Sequence, residues 1–305
     1  MSALRSLILA AADSPGLQRF VRRYGFRLGA ARFVAGESLD AAVPVLRRLN
    51  EQGLLTNTTL LGEGVRDEAE TRVVVDAYRE VLDRIHAEAL QTNVALKLTH
   101  LGLSIDEELA QWNLAMLVEH AAQLGNFVRI DMEDRTTTDA TLRIYKHLQE
   151  RYGNVGVVLQ AYMRRTLADI AAVTVAGANI RICKGIYVEP RDAAWKGYAT
   201  VRANYLHALE AMIAQGVYAA IATHDEYLVC RAVALLRKHG VPRDRYEFQM
   251  LLGVDEPLRR ILLAEGHRLR VYVPYGRDWY PYSIRRLREN PEVARHVLRA
   301  MLAGQ

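Results

Sequence analysis

Short apolar segments alternate with longer amphipathic stretches along most of this 305-residue chain. From residue 57 onward, stretches such as DEAETRVVVDAYREVLDRIHAEAL carry apolar residues at helical spacing, and short apolar runs lie between them. The predicted strands are Thr58–Leu61, Val94–Leu98, Phe127–Ile130, Val155–Leu159, Ile180–Cys183, Tyr218–Ala222, Tyr246–Met250 and Leu269–Val273. This alternation predicts parallel strands with helical crossovers, and eight such units favour a closed (β/α)8 barrel over an open doubly wound sheet.

The pattern before residue 57 is different. Leucine and valine recur at helical spacing over residues 39–49, and Gly53 follows, a residue type that commonly ends helices. We therefore predict an N-terminal helical segment over residues 1–55 and a barrel domain over residues 56–305.

Composition and charge are those of a folded globular protein. Half of the residues are hydrophobic, a quarter are charged, and the net charge is +5. Arginine and glutamate are interspersed along most predicted helices, whereas a nucleic-acid binder would gather basic and aromatic residues on one face, so we expect no nucleic-acid partner. Basic residues are concentrated near the N-terminus. The two interpretations of this concentration are a solvated helix face and contact with an anionic membrane surface. The residues concerned are Arg19, Arg22, Arg23, Arg27 and Arg32.

Several classes of protein lack support in the sequence. The two cysteines, Cys183 and Cys230, are too few for a disulfide framework and fit a reducing cytoplasm. No CxxC or HExxH motif indicates a metal site, and no GxGxxG follows an early strand. No apolar run approaches the ~20 residues of a spanning helix. We expect a cytoplasmic protein, either free or peripheral on the inner face of the membrane.

Polar or ionisable residues close each predicted strand. Parallel barrels carry their chemistry at the carboxyl ends of the strands, so these residues are expected on one rim. They are Glu63, Lys97, Asp131, Gln160, Arg181 with Lys184, Thr223 with His224, Gln249 and Tyr272. Together they predict a charged pocket in which opposite charges keep one another ionised. In FVRIDMED, Arg129 and Asp131 share a strand face, so we expect both to point into the barrel mouth.

The stretch YPYSIRRLRENPE predicts a helix with a polar stripe. Tyr282, Arg285, Arg286 and Glu289 occupy positions i, i+3, i+4 and i+7, which normally carry the apolar face of a helix. One interpretation is a solvent-exposed helix with an Arg–Glu pair. The other is a final helix laid over the barrel mouth, aiming two arginines at an anion. A carboxylate is the natural guest because guanidinium binds it through two hydrogen bonds, and a phosphate would also fit.

Eight short motifs, in chain order, resemble the proline dehydrogenase family. They are LKL with Lys97, RIDMED with Asp131, VVLQAY with Gln160, IRICKGIY with Arg181 and Lys184, ATHD with Thr223 and His224, YEFQMLLG with Gln249 and Leu251, RVYVPYG with Tyr272, and YSIRRLRE from Tyr282 to Glu289. They span about residues 57–290, and the length resembles the stand-alone enzyme rather than the form fused to an aldehyde dehydrogenase. The resemblance implies a distorted (β/α)8 TIM barrel with non-covalent FAD at the strand C-termini. It further implies oxidation of L-proline to Δ1-pyrroline-5-carboxylate by hydride transfer from C5 to flavin N5, with electrons passed to a membrane quinone.

The same resemblance implies roles for individual residues. For the substrate, Arg285 and Arg286 would pair the proline carboxylate with help from Lys97, while Tyr272, Tyr282 and Leu251 would wall the ring. For the cofactor, Asp131 would hold Lys97 and border the flavin, Gln160 and Arg181 would contact the isoalloxazine ring, and the rest of FAD would be held by Val158, Lys184, Gly185, Thr223, His224 and Glu289. Glu63 would pair with Arg285 as a gate over the site.

Three positions depart from the family pattern. Val188 follows GIY where some members carry an aromatic residue, which bears on how FAD packs. Two residues are missing between Gly276 and Tyr282 relative to longer forms. ATHD, ending in Asp225, stands in place of ATHN, which bears on the adenosine contacts.

Two other functions compete with this interpretation. Lys97 or Lys184, each at a strand end of a barrel, could form a Schiff base as in a class I aldolase acting on a phosphorylated substrate. Alternatively, the basic residues could serve a non-catalytic barrel that binds an anionic ligand or nucleic acid. The sequence leaves open the oligomeric state, the physiological quinone and activity on hydroxyproline.

Overall fold

Eight parallel strands close into a barrel in the computed structural model of the protein, which describes the backbone of residues 32–289 and the side chains of residues 32–285. The strands are β1 (Leu55–Leu60), β2 (Thr92–Leu96), β3 (Val128–Ile130), β4 (Val155–Gln160), β5 (Asn179–Cys183), β6 (Tyr218–Ala222), β7 (Tyr246–Leu251) and β8 (Leu269–Tyr275). Each strand pairs with its neighbour in chain order, and β8 pairs with β1 from Leu55–Arg270 to Leu60–Tyr275. The predicted (β/α)8 barrel is therefore confirmed.

Helices surround this barrel on its outer face, apart from the last one named below, which lies over the mouth. They are α1 (Leu39–Glu51), α2 (Glu68–Ala87), α3 (Glu107–Gln123), α4 (Thr138–Tyr152), α5 (Thr166–Val173), α6 (Tyr198–Ala214), α7 (Glu226–Lys238), α8 (Glu256–Ala264) and α9 (Trp279–Glu289). Four of them begin at a side chain that accepts a hydrogen bond from a first-turn N–H group, namely Ser38, Asp67, Asp106 and Asp255. Such caps satisfy backbone donors that have no partner inside the helix, so they fix where these helices start.

The main hydrophobic core lies between the barrel and the helices. All six residues of β4 are buried, as expected for a parallel strand covered on both faces. On α2, the buried Val74, Tyr78 and Val81 recur at helical spacing and face the sheet. The sheet is therefore held rigidly from outside. Side chains can vary at the rim that the carboxyl ends of the strands form.

Polar side chains fill the end of the barrel interior remote from that rim. The Arg270 guanidinium donates to both carboxylate oxygens of Glu247, at 2.7 and 3.0 Å. Burial alone would raise the pKa of Glu247, but the charge of Arg270 outweighs it and lowers that pKa to about 2. Arg129 donates to the carbonyl oxygen of Asn179, the first residue of β5, at 2.8 Å.

The expectation that Arg129 points into the barrel mouth is therefore wrong. Its side chain is buried inside the barrel, as the alternation along β3 requires, but it extends toward the start of β5 rather than toward the rim. Alternation along a strand determines whether a side chain points into or out of the barrel. It does not determine whether a long side chain then extends toward the rim or toward the opposite end.

A second apolar cluster joins the beginning of the described chain to α9. Residues 32–37, which we call the strap, bring Phe33 into contact with a group that includes the buried Trp279 and Tyr282. The indole Nε1 of Trp279 donates a hydrogen bond of 2.8 Å to Glu37. Further hydrogen bonds run from Ala35 N to Pro274 O at 2.8 Å, from Gly276 N to Gly36 O at 2.9 Å, and from Arg32 Nε to Gly253 O at 2.7 Å. The strap therefore anchors α9 beside the mouth.

All eight predicted strands occur, and their bounds differ mostly by one or two residues. The largest difference is at β1, which begins at Leu55 rather than Thr58. Residues 1–31 of the predicted helical segment lie outside the described residues, and the domain boundary at residue 55 stays a prediction. Between residues 32 and 289, no helix combines the length and the apolar character needed to cross a membrane.

Candidate active site

A cavity of about 650 Å³ opens at the carboxyl ends of the strands. Its size lies within the range of roughly 300–1,000 Å³ that is typical of small-molecule sites. The predicted residues that line it are Lys97, Asp131, Val158, Gln160, Arg181, Lys184, Gly185, Thr223, His224, Gln249, Leu251, Tyr272, Tyr282 and Arg285. Side chains from β2 to β8 and from α9 thus meet in one space, as the rim pattern predicted.

Asp131 is the centre of a buried network in this cavity. Its carboxylate accepts a hydrogen bond of 2.6 Å from Arg181 Nη1 and one of 2.9 Å from the Tyr272 hydroxyl. The Arg181 guanidinium also lies 5.6 Å from the centre of the Tyr272 ring. Burial first, and the negative charge of Asp131 second, raise the pKa of Tyr272 well above its ordinary value, so the phenol remains a donor. The expectation that Asp131 holds Lys97 is wrong, since its carboxylate is taken by Arg181 and Tyr272.

Lys97 pairs instead with Glu63, three residues beyond the end of β1. Burial would raise the pKa of Glu63, but the hydrogen bond and charge of Lys97, with a smaller contribution from Arg285, lower it. Glu63 is therefore charged at neutral pH. The expected gate pair between Glu63 and Arg285 is not formed in this structure, because Lys97 takes the carboxylate and Arg285 acts on it through charge alone.

Helix α9 lies over the mouth through its first two turns. Tyr282 is buried and lines the cavity, and the Arg285 guanidinium lies 6.0 Å from the centre of the Tyr282 ring. The Nε atom of Arg285 is buried and has no hydrogen-bond partner among the described residues. A buried donor without an acceptor is costly, so this geometry favours a ligand that supplies one. Arg286 and Glu289 come after residue 285, the last residue whose side chain the structure describes.

The end of β7 is tied to the end of β6. The backbone N–H of Leu251 donates a hydrogen bond of 2.9 Å to Nε2 of His224. This bond fixes the backbone that presents Leu251 to the cavity. His224, expected to hold a cofactor, therefore also positions a residue expected to wall the substrate.

Gly185 allows the loop after β5 to run close against a tyrosine. Its φ angle is +109°, and a Cβ atom there would lie 2.1 Å from the Tyr162 ring. Neither the backbone angle nor the space tolerates a side chain. Gln160 supports the same loop, since its Oε1 accepts a hydrogen bond of 3.4 Å from the backbone N–H of Ile186.

Several cavity residues were missed by sequence reasoning. They are Met132, Cys183, Ile186, Tyr187, Tyr198, Ala222, Met250 and Val254, while Asp225, noted only as a departure from a motif, also lines the cavity. Tyr187 could have been found, because it lies two residues after Gly185 in a motif already recognised. Tyr198 had no such signal, since it begins α6 and follows no strand end.

The two lysines of the aldolase interpretation are both neutralised by carboxylates. Lys97 pairs with Glu63, and Lys184 donates a hydrogen bond of 3.2 Å to Asp225. A Schiff-base lysine must have an amine that is free to attack a carbonyl, whereas each of these amines is held in an ion pair with a carboxylate. The geometry therefore argues against the aldolase interpretation.

Comparison with known proteins gives one family over most of the chain. The profile of the family described as "Proline dehydrogenase" matches residues 42–299. A "Proline dehydrogenase 1" of Bacillus subtilis (strain 168) is 36% identical over 299 residues, which cover 98% of this chain and 99% of the relative. A "Proline dehydrogenase" of Deinococcus radiodurans is 37% identical over 305 residues, which cover 98% of each.

Solved structures share the fold. The crystal structure of proline utilization A (PutA) from Bdellovibrio bacteriovorus, inactivated by N-propargylglycine, superposes with a TM-score of 0.79 at 23% identity. The match covers 85% of this chain and 32% of that protein. This similarity independently supports the barrel architecture.

Proposed function

The chain belongs to the proline dehydrogenase family, and on that premise we propose that it oxidises L-proline to Δ1-pyrroline-5-carboxylate with a bound FAD and passes the electrons to a quinone. One observation carries the proposal for the site. Lys97, Arg285 and the Asp131–Arg181–Tyr272 network share one cavity, and the Nε atoms of both arginines are buried without acceptors among the described residues. Buried donors of this kind suit the two ligands of the proposed reaction, the carboxylate of a small acid and the polar ring of a flavin.

The substrate carboxylate is assigned to the cations on the β2 and α9 sides of the cavity. Arg285 and Lys97 both line it, and Arg286 is the next residue on α9. A guanidinium fork binds a carboxylate through two parallel hydrogen bonds, so Arg285 and Arg286 would fix its orientation and Lys97 would add charge. The pyrrolidine ring is assigned to the space between the side chains of Leu251, Tyr272 and Tyr282.

The residues of the β4 and β5 side fit a flavin. The buried Nε–H of Arg181 lacks an acceptor in the described chain, and a flavin ring nitrogen would supply one. Gly185, Gln160 and Val158 line the same wall. We assign Arg181 to the N5 edge of the ring, Asp131 to its border, and Lys184, Thr223, His224 and Glu289 to the rest of FAD. A bound flavin supplies the acceptor for the hydride that leaves C5 of proline.

The protein contributes orientation and electrostatics to this reaction. The positive charges of Lys97 and Arg285 disfavour the ammonium form of proline, so the amine nitrogen can release electron density as hydride leaves. No base is needed to remove a proton from C5, because the hydrogen leaves that carbon as hydride with both electrons of the bond. The proton of the product is lost from nitrogen. The hydrogen bond between Tyr272 and Asp131 holds the phenol in one position, which orients the ring it contacts.

The electron acceptor and the location are assigned from the family resemblance and the basic N-terminal residues. We propose that a membrane quinone takes the electrons and that the protein touches the inner face of the membrane from the cytoplasm. A Glu63–Arg285 pair that replaces the Glu63–Lys97 pair would close the cavity during the reaction.

An anaerobic absorbance spectrum tests the proposed function. The purified protein is expected to show the band of oxidised flavin and to lose it on addition of L-proline but not of D-proline. Protein that remains colourless and cannot be reconstituted with FAD would overturn the proposal. A lysine adduct trapped by borohydride with a sugar phosphate would favour the aldolase instead.

A further inference from the structure

Arg129 is a cation enclosed in the barrel interior, below the cavity. It is 2% exposed, and its guanidinium donates hydrogen bonds to the carbonyl oxygens of Val157 at 3.0 Å and Asn179 at 2.8 Å, and to the side-chain oxygen of Asn179. The guanidinium carbon lies 4.9 Å from the centre of the Phe127 ring. Its Nε is buried without an acceptor among the described residues. Every group that holds this cation is therefore uncharged.

The sequence of β4 makes room for the guanidinium. Gly156 stands opposite Arg129 in the pairing of β3 with β4. A Cβ atom at Gly156 would lie 2.5 Å from Arg129 Nη1 and 2.6 Å from the carbonyl oxygen of Asn179. Any other amino acid at position 156 would displace the guanidinium or the backbone that it binds. The cation therefore occupies a space that is fitted to it.

No carboxylate balances the charge of Arg129. Below the rim, the barrel interior holds two other arginines, and each is paired with a carboxylate. Arg181 lies 2.6 Å from Asp131, and Arg270 lies 2.7 Å from Glu247. None of the ion pairs among the described residues includes Arg129. The interior therefore keeps one net positive charge, which is the charge of this residue.

The charge of Arg129 acts on the cavity above it. Burial first, and the charge of Arg181 second, lower the pKa of Arg129 to about 9, so the guanidinium stays protonated at neutral pH. Arg129 and Asp131 share a face of β3, two residues or roughly 7 Å apart along the strand. A charge in the protein interior is screened much less than one in water. Because an unpaired buried charge is also costly, its retention points to a role in the site.

We propose that Arg129 raises the reduction potential of the flavin bound in the cavity, through its charge and without contact. The proposed reaction moves a hydride, and with it one negative charge, from C5 of proline to the flavin, while the proton of the product is lost from nitrogen. A fixed positive charge below the Asp131–Arg181 pair stabilises the reduced, more negative state of the cavity. This inference rests on the proposed function, because it concerns the cofactor proposed for the same cavity.

The midpoint potential of the flavin tests this inference without turnover. The holoenzyme is reduced anaerobically beside a reference dye, and the potential follows from the two absorbance spectra. We expect Arg129→Gln to make the potential more negative by about 30 mV, which is a tenfold change in the equilibrium of a two-electron couple. Glutamine keeps a donor for Asn179 but removes the charge. Arg129→Lys keeps the charge and should keep the potential of the unmodified protein.

Asn179→Asp separates charge from packing. The side-chain oxygen of Asn179 already accepts a hydrogen bond from Arg129, so an aspartate keeps the shape and supplies a counter-charge. The potential should become more negative, as in Arg129→Gln. Urea unfolding of the apoprotein should give opposite changes in stability. Asn179→Asp should be more stable because a buried charge gains a partner, and Arg129→Gln less stable because buried carbonyl groups lose donors. If Arg129→Gln fails to fold, Asn179→Asp alone decides the test.

Arg259→Gln is the matched control. Arg259 is also buried, and its Nη1 has no acceptor among the described residues. It lies on α8, outside the barrel, and 3.5 Å from Glu256. Its replacement should leave the flavin potential unchanged.

Two outcomes overturn the inference while leaving the proposed function intact. Unchanged potentials in Arg129→Gln and Asn179→Asp would show that the interior charge does not act on the flavin. An equal shift in Arg129→Lys and Arg129→Gln would assign the effect to packing rather than to charge. Unmodified protein that binds no flavin, or whose flavin is not reduced by L-proline, would instead overturn the proposed function itself.

Discussion

The hydroxyl of Tyr272 donates a hydrogen bond of 2.9 Å to Asp131, a residue 141 positions away along the chain. The other oxygen of that carboxylate accepts from Arg181, so one aspartate ties β3 to β5 and to β8. The side chains of Asp131 and Arg181 are only 14% and 8% exposed, which makes their mutual charge compensation necessary. The centre of the site is therefore also a structural tie across the barrel mouth.

Replacing Asp131 should destabilise the apoprotein. Asp131→Asn leaves the Arg181 guanidinium buried without its counter-charge, and breaking a buried pair costs roughly 3–5 kcal/mol in the free energy of unfolding. Urea unfolding of flavin-free protein measures this cost. Asp139→Asn is the control, because Asp139 is 65% exposed in its pair with Arg165 and should lose less than about 1 kcal/mol. Equal losses in the two variants would contradict the prediction.

Arg285→Lys should raise KM for proline more than it lowers kcat. Lysine keeps the positive charge at the cavity wall but loses the planar fork that binds a carboxylate through two hydrogen bonds. An increase in KM of about tenfold corresponds to about 1.4 kcal/mol of binding free energy. Steady-state kinetics with varied proline gives both constants. Arg277→Lys, just before α9, is the control, and an unchanged KM in Arg285→Lys would count against the carboxylate assignment.

His100 should make stability depend on pH below neutrality. Burial first, and the charge of Lys97 second, lower its pKa from 6.5 to about 4, against the opposing charges of Asp278 and Glu63. The folded protein therefore keeps His100 neutral over a range in which the unfolded chain takes up a proton. The free energy of unfolding should fall by about 3 kcal/mol as the pH drops from 6.5 to 4.

Carboxylates titrate in the same pH range as His100. The contribution of His100 is therefore measured as the difference between a His100 variant and the unmodified protein. His100→Gln should lose less stability than the unmodified protein between pH 6.5 and 4 in urea unfolding. His147→Gln, at an exposed position on α4, is the control. Identical pH slopes for His100→Gln and the unmodified protein would exclude a role for this residue.

Loosening the strap should weaken substrate binding. Trp279→Phe keeps an aromatic ring against Phe33 but removes the hydrogen bond to Glu37 that anchors α9. We expect KM for proline to rise several-fold with a smaller change in kcat, because α9 carries Arg285. Glu37→Gln retains an acceptor oxygen and should behave like the unmodified protein. Trp112→Phe, at a side chain 68% exposed on α3, is the control. Equal KM values in Trp279→Phe and Trp112→Phe would show that the strap does not position the site.

The sequence predicted which residues share the rim better than which of them pair. Strand ends can be located from apolar runs, and the barrel then brings Lys97, Asp131 and Arg181 into one cavity whatever their distance along the chain. Pairing depends on distances of a few ångströms between side chains. Lys97 pairs with Glu63 because the loop after β1 folds over it, and no periodic pattern describes that loop.

Asp225 shows the same limit more sharply. Asp225 was noted as a departure from a motif, yet its partner Arg202 lies 23 residues earlier on α6, where no motif marked it. A helix residue enters a barrel site only when its helix begins near the mouth. That depends on the length of the loop after β5, which composition and periodicity do not determine.

The pairing of β8 with β1 bears on how the molecule folds. Thr58 and Val273 are hydrogen-bonded although 215 residues separate them, so this contact carries a large loop-closure cost and belongs late in assembly. Until β8 docks, β1 and β7 present open sheet edges on which a nascent chain can aggregate. Tyr272 arrives with that same strand. Closing the barrel and completing the pocket therefore depend on the same strand.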